Sequence, residues 1–120
     1  AKTIVAYDSS SANEKYLSQI PDCVEIKKLP SADPRHLSQY LATRGCNSVL
    51  WECGPRLATA ALESNCVQEL ITFIAPKILG GIDSMNPIGD LKFERIDDVI
   101  KLTNTEMRLI GNDICIRNNF

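Results

Sequence analysis

The chain has 120 residues, 44% hydrophobic and 23% charged, with a formal net charge of −2. That length predicts one domain with a core of its own. The slight acidic excess, with Lys27-Lys28 as the sole adjacent basic pair, argues against a nucleic-acid surface, and no apolar run reaches the ~20 residues of a membrane span.

Residues 3–7 are β-branched and apolar, predicting a buried strand and not a secretory signal. Ser11-Ala12-Asn13-Glu14 has the spacing of a capping box, with Tyr16, Leu17 and Ile20 on one helical face and Pro21 closing the segment. Residues 24–29 alternate polar and apolar, which predicts a short edge strand. Asp33-Pro34 then supplies an N-cap and first-turn pair, Leu37, Tyr40 and Leu41 an apolar stripe, and Gly45 a stop.

Val49-Leu50-Trp51 is a continuous apolar run that ends at Glu52, turns through Cys53-Gly54 and re-enters regular structure at Pro55. This predicts a buried strand, a tight turn and a helix with proline in its first position and Leu57, Ala58, Ala61 and Leu62 on its buried side. Residues 70–75 form another hydrophobic run, ended by Pro76. Gly80-Gly81 and Asn86-Pro87-Ile88-Gly89 mark an irregular loop, and residues 100–110 and 113–117 alternate around Gly111-Asn112 as an antiparallel hairpin. Strands and helices alternate first and an antiparallel pair closes the chain. The expected fold is three-layer α/β/α, with a mixed, mostly parallel sheet.

The turn after Glu52 carries the chemistry. The first N–H groups of a helix have no intrahelical partner, and the helix dipole adds positive charge there. Gly54 lets a ligand approach the backbone, so the turn is a candidate anion pocket, with Glu52 at the strand end where open α/β sheets place ligands. The same turn also occurs as a plain connection between elements.

The five cysteines, Cys23, Cys46, Cys53, Cys66 and Cys115, are odd in number and form no C-x-x-C, and His36 is the sole histidine. Reduced thiols are expected and no metal site. His36 reads as a surface helix residue and Asp97-Asp98 as a solvated turn. Lys77 and Gly80-Gly81 shape a loop or line a pocket.

Leu50-Trp51-Glu52-Cys53-Gly54-Pro55, then Leu57-Ala58-Thr59-Ala60-Ala61-Leu62, Ile74-Ala75-Pro76-Lys77-Ile78-Leu79-Gly80-Gly81 and Pro87-Ile88-Gly89-Asp90-Leu91, together resemble the reductase domain of the riboflavin-biosynthesis deaminase/reductase, most of all its cyanobacterial and plant versions. The resemblance covers the whole chain. It implies a dihydrofolate-reductase-like fold and an NADPH-dependent reduction of a phosphoribosylamino-pyrimidine (an aminouracil), whose ring-opened ribose becomes ribitol. It places substrate on Glu52 and the cofactor phosphates on Gly54, Pro55, Arg56, Leu57, Ala58, Thr59 and Ala60. It identifies no catalytic residue. Ser9, Ser10 and Ser11 offer hydroxyls for the 2′-phosphate of NADPH.

Two positions depart from the commonest family pattern. Cys53 stands where many members have a second glycine, and Arg56 where many have a small hydroxylated residue. Arg56 is then either a surface side chain or an added contact to a pyrophosphate or 2′-phosphate.

The family's reductase domain is also longer than this chain at its N-terminus. An N-terminally truncated portion is therefore expected, with a deaminase domain fused upstream in the parent and the 120 residues inactive alone. Cytoplasmic or, in a plant, plastid location is expected. The uncovered hairpin and sheet edge call for a homodimer or larger homo-oligomer. Two other functions stay open: a related pterin or pyrimidine reductase of the same fold, and a non-catalytic nucleotide-binding fragment.

Overall fold

A computed structural model describes residues 2–10, 12–84 and 86–120. The elements in chain order are β1 (Ile4–Asp8), α1 (Glu14–Leu17), β2 (Glu25–Leu29), α2 (Pro34–Thr43), α3 (Pro55–Glu63), β3 (Glu69–Ile74), a single 3₁₀ turn (Ile96–Asp98), β4 (Thr103–Ile110) and β5 (Asp113–Asn119). Contacts gather them into two compact units, one running through Glu52 and the other spanning Cys53–Phe120.

In the first unit β1 and β2 run parallel, with Ile4 opposite Glu25 and Asp8 opposite Leu29. The connection passes through α1, as a parallel pair requires a crossover. That helix is one turn long. Its N-cap is Asn13, whose side chain accepts from the Lys15 amide at 3.1 Å; Ser11, which opened the expected capping box, lies outside the described residues. Asp33 caps α2 as predicted, accepting from the Arg35 amide at 2.9 Å, and Pro34 fills the first position. The helix ends where Gly45 takes φ 84°. There the Gly45 amide reaches Ala42 O and the Cys46 amide reaches Leu41 O, the paired bonds of a Schellman stop.

In the second unit the strand order is β3-β5-β4, all antiparallel. Gly111 turns the β4–β5 hairpin at φ 62°, the conformation a two-residue hairpin loop demands. β4 begins at Thr103, not at residue 100, and its register shifts between Thr103 and Glu106, with Asn104 at φ 52°. Opposed residues share a face, so Leu70, Thr72, Ile74, Ile114, Ile116, Met107 and Leu109 line one side of the sheet.

The chain is α/β with both parallel and antiparallel pairing, and three expectations are corrected. Antiparallel pairs outnumber the one parallel pair among the described residues, so the sheet content is not mostly parallel. Residues 49–51 do not form a strand: the segment is irregular, with Leu50 80% exposed. An apolar run signals a need for burial, but a strand also needs a partner for its N–H and C=O groups, and no described strand pairs with this segment. Finally, the core is thin. Leu29, Pro34, Ala61, Leu62 and Cys115 are the buried apolar residues among those described, while Leu57, expected on the buried side of α3, is exposed.

Candidate functional site

Glu52 closes the first unit as an exposed residue of the irregular segment, and not as the last residue of a strand. Gly54 is the N-cap of α3 in an extended conformation (φ −75°, ψ 172°), and no side chain caps this helix start. Pro55 occupies the first position and has no N–H to satisfy. The first intrahelical bond is from the Ala58 amide to Gly54 O at 3.1 Å. The amides of Arg56 and Leu57 precede it and stand at the positive end of the helix. A Cβ built on Gly54 would meet nothing within 4 Å, so the approach is open.

Arg56 is exposed, with no ion pair among the described residues, and Leu57 is 40% exposed. The arrangement offers two backbone donors, a helix dipole and an exposed guanidinium to an anion. That chemistry suits a phosphate. The rest of the predicted cradle is used differently. Ala58 commits its amide to Gly54 O. Thr59 points its hydroxyl to Pro55 O at 2.8 Å and accepts from the Gly89 amide at 2.8 Å. Ala60 lies half-buried within the helix.

The helix is fixed below by Ala61 and Leu62, both buried, and closed by Asn65 at φ 53°. The Asn65 amide reaches Leu62 O and the Cys66 amide Ala61 O. This second Schellman stop carries asparagine where glycine is usual, and it was not read from the sequence. Beside Leu62 lies an open apolar cleft of about 230 Å³ walled by Leu70, Ile88, Phe93, Ile100 and Phe120 among others.

The serines considered for a 2′-phosphate are arranged otherwise. Asp8 is buried, and its Oδ1 accepts from the Ser10 amide at 2.7 Å and the Ser10 hydroxyl at 2.6 Å. Ser9 is exposed and Ser11 lies outside the described residues. Lys77 is exposed on the loop beyond β3, where Ile78, Leu79 and Ile82 are also fully open to solvent. His36 bonds the Ser31 hydroxyl through Nδ1 at 2.9 Å, a local helix-start contact. No described helix is long and apolar enough to cross a membrane.

A second polar cluster lies in the first unit, at the start of β2. Glu25 accepts from Arg44 Nη1 at 2.6 Å, from the Tyr40 hydroxyl, and from Lys2 Nζ at 2.9 Å. These bonds, Arg44 first, then Tyr40 and Lys2, hold its carboxyl well below the usual carboxylate range. Lys27 Nζ sits 4.8 Å from the centre of the Tyr40 ring. The cluster ties the end of α2 to β2. It was not anticipated, because its members are separated by up to 42 positions, from Lys2 to Arg44.

A model of the RibD C-terminal domain matches residues 1–116. A riboflavin biosynthesis protein RibD from Synechocystis is 35% identical over 114 residues, which cover 94% of this chain and 31% of that protein. The chloroplastic riboflavin biosynthesis protein PYRR of Arabidopsis thaliana is 33% identical over 93 residues, 78% of this chain and 16% of that protein. The chain thus spans at most about a third of these relatives. Among solved structures, RibD of Acinetobacter baumannii superposes with a TM-score of 0.71 at 20% identity, over 98% of this chain and 37% of that one. A pyrimidine reductase-like protein of Corynebacterium diphtheriae gives 0.68 at 20% identity, over 97% and 49%. At that identity the likeness shows the fold, which is the dihydrofolate-reductase-like arrangement expected above.

Proposed function

The chain belongs to the RibD C-terminal domain family, and from that membership we propose that it is part of an NADPH-dependent reductase of riboflavin biosynthesis. The substrate of this reading is the phosphoribosylamino-pyrimidine, reduced at its ring-opened ribose to the ribitylamino form. NADPH, when bound, supplies the hydride. Its phosphates are held at the start of α3, by the Arg56 and Leu57 amides and the Arg56 guanidinium. Glu52 accepts a hydrogen bond from substrate and so orients it. The observation that carries the reading is the uncapped start of α3, with two amide donors, open space above Gly54 and an exposed arginine beside them.

In this reading the two compact units belong to one reductase domain, fused to a deaminase domain in the parent. Hydride transfer needs reacting atoms held about 3–3.5 Å apart. Because the chain spans at most about a third of the relatives it matches, the 120 residues alone are expected to show no turnover. The exposed Met107 and Leu109 on one sheet face are covered by a second copy, giving a homodimer in the cytoplasm or, for a plant protein, the plastid.

The test is Arg56→Glu in the intact reductase. An acid in the first turn favours the helix but opposes a phosphate, so folding is kept while binding suffers. NADPH affinity should fall by about tenfold or more, with the melting temperature unchanged. Unchanged affinity would remove the phosphate site from α3. Separately, Glu52→Gln should lower kcat/KM for the pyrimidine by an amount worth about 1.5–3 kcal/mol while NADPH affinity holds.

A further inference from the structure

We infer that Thr59 is a positioning residue and not a phosphate ligand: its hydroxyl ties the 87–90 loop to the first turn of α3 and so fixes how that turn presents its free amides. The inference rests on α3 as the cofactor-phosphate site. A hydroxyl has one proton. In Thr59 that proton goes to Pro55 O at 2.8 Å, and one lone pair receives the Gly89 amide at 2.8 Å. What remains on the oxygen is acceptor capacity, which a phosphate anion cannot use. To donate to a phosphate, Thr59 would have to release the Pro55 carbonyl.

The partner is fixed as tightly as the bridge. A Cβ on residue 89 would stand 2.9 Å from Thr59 Oγ1 and 3.7 Å from Pro55 O. At the first distance something must shift, so a side chain at residue 89 would displace the Thr59 hydroxyl or the loop and break the bridge. Gly89 has an ordinary negative φ, since it is absent from the positive-φ residues. Close approach, and not backbone freedom, is therefore what asks for glycine. Thr59 and Gly89 are two halves of one contact spanning 30 positions. That contact bears on Pro55, the residue immediately before the two unsatisfied amides.

The experiment uses the intact reductase with Thr59→Val, Thr59→Ser, Gly89→Ala and the Thr59→Val/Gly89→Ala double variant. Binding of NADPH and of reduced nicotinamide mononucleotide, which lacks the pyrophosphate bridge and 2′-phosphate, is titrated for each. Thr59→Val and Gly89→Ala should each weaken NADPH by about tenfold, raising its KM with kcat little changed. The double variant should be no worse than either single one, because both remove the same contact. Thr59→Ser should bind within about twofold of the parent, and none should alter binding of the mononucleotide. A general loss of structure would depress both ligands and the melting temperature, and would overturn the inference. So would a wild-type NADPH affinity in Thr59→Val, or a loss in Thr59→Val that Gly89→Ala does not share, which would make Thr59 a direct ligand. Arg56→Glu separates the two levels. If it weakens NADPH and Thr59→Val does not, the phosphate site stands and the bridge fails; if it leaves NADPH untouched, both fail together.

Discussion

Two helices of this chain begin alike, α2 with Asp33-Pro34-Arg35 and α3 with Gly54-Pro55-Arg56, yet one start is closed and the other open. In α2 the Asp33 carboxylate takes the Arg35 amide at 2.9 Å and the Arg35 guanidinium at 2.6 and 2.9 Å. The helix supplies its own anion. In α3 glycine stands in the capping position, so the same two kinds of donor, amide and guanidinium, remain for an anion from outside. In the function proposed here, one residue separates a structural helix start from a binding one. On the proposed function, a side-chain cap on α3 would compete with the phosphate for the same amides.

The comparison can be broken by exchanging the caps. Gly54→Asp in the intact reductase should close α3 as Asp33 closes α2, putting a carboxylate where the phosphate would sit. NADPH affinity should then fall by about a hundredfold, while the helix gains at most a few tenths of a kcal/mol. Calorimetric titration reads the first and urea unfolding the second. Retained affinity would mean the two starts do not differ in function.

The reverse change is smaller. Asp33→Ala should cost about 1 kcal/mol of stability through the lost cap and leave NADPH binding unmoved. Urea melts and a parallel titration check both halves; a loss of NADPH affinity would show that α2 also takes part in binding.

The smallest effect concerns the far end of α2, which side chains also fasten. Glu25, bonded by Arg44, Tyr40 and Lys2, has its carboxyl held below its ordinary value of 4.5. A depressed folded value means stability that is present above the unfolded value and is lost as pH falls through the folded one. The β1–β2–α2 unit should therefore weaken progressively in acid below about pH 4.5. Glu25→Gln should be weaker at neutral pH and show a flatter acid dependence. The cluster is open to solvent, so the change should be modest and should shrink with added salt. Acid melts of parent and variant with the same slope would exclude this role.

The parts legible in the sequence are those decided locally. Asp33-Pro34 and Gly45 act within a turn of themselves, and the structure places both ends of α2 where they indicate. Gly111 likewise dictates its own hairpin. The open start of α3 was legible for the same reason, since Gly54 and Pro55 have no side chain or amide with which to close it. The strand assigned to residues 49–51 failed because hydrophobicity reports a wish for burial and says nothing of a pairing partner. The Thr59–Gly89 bridge and the Glu25 cluster join residues far apart in sequence, and neither leaves a periodic or local trace. The Asn65 stop is hard to see in the sequence because asparagine enters the left-handed region less often than glycine.

The most direct measurement follows the backbone amides of the intact reductase by NMR as NADPH is added. If the start of α3 holds the phosphates, the Arg56 and Leu57 amides show the largest shifts and slow their exchange with solvent, while the Arg35 amide, already bonded to Asp33, stays where it was. Saturation with NADPH that leaves Arg56 and Leu57 unmoved would contradict it.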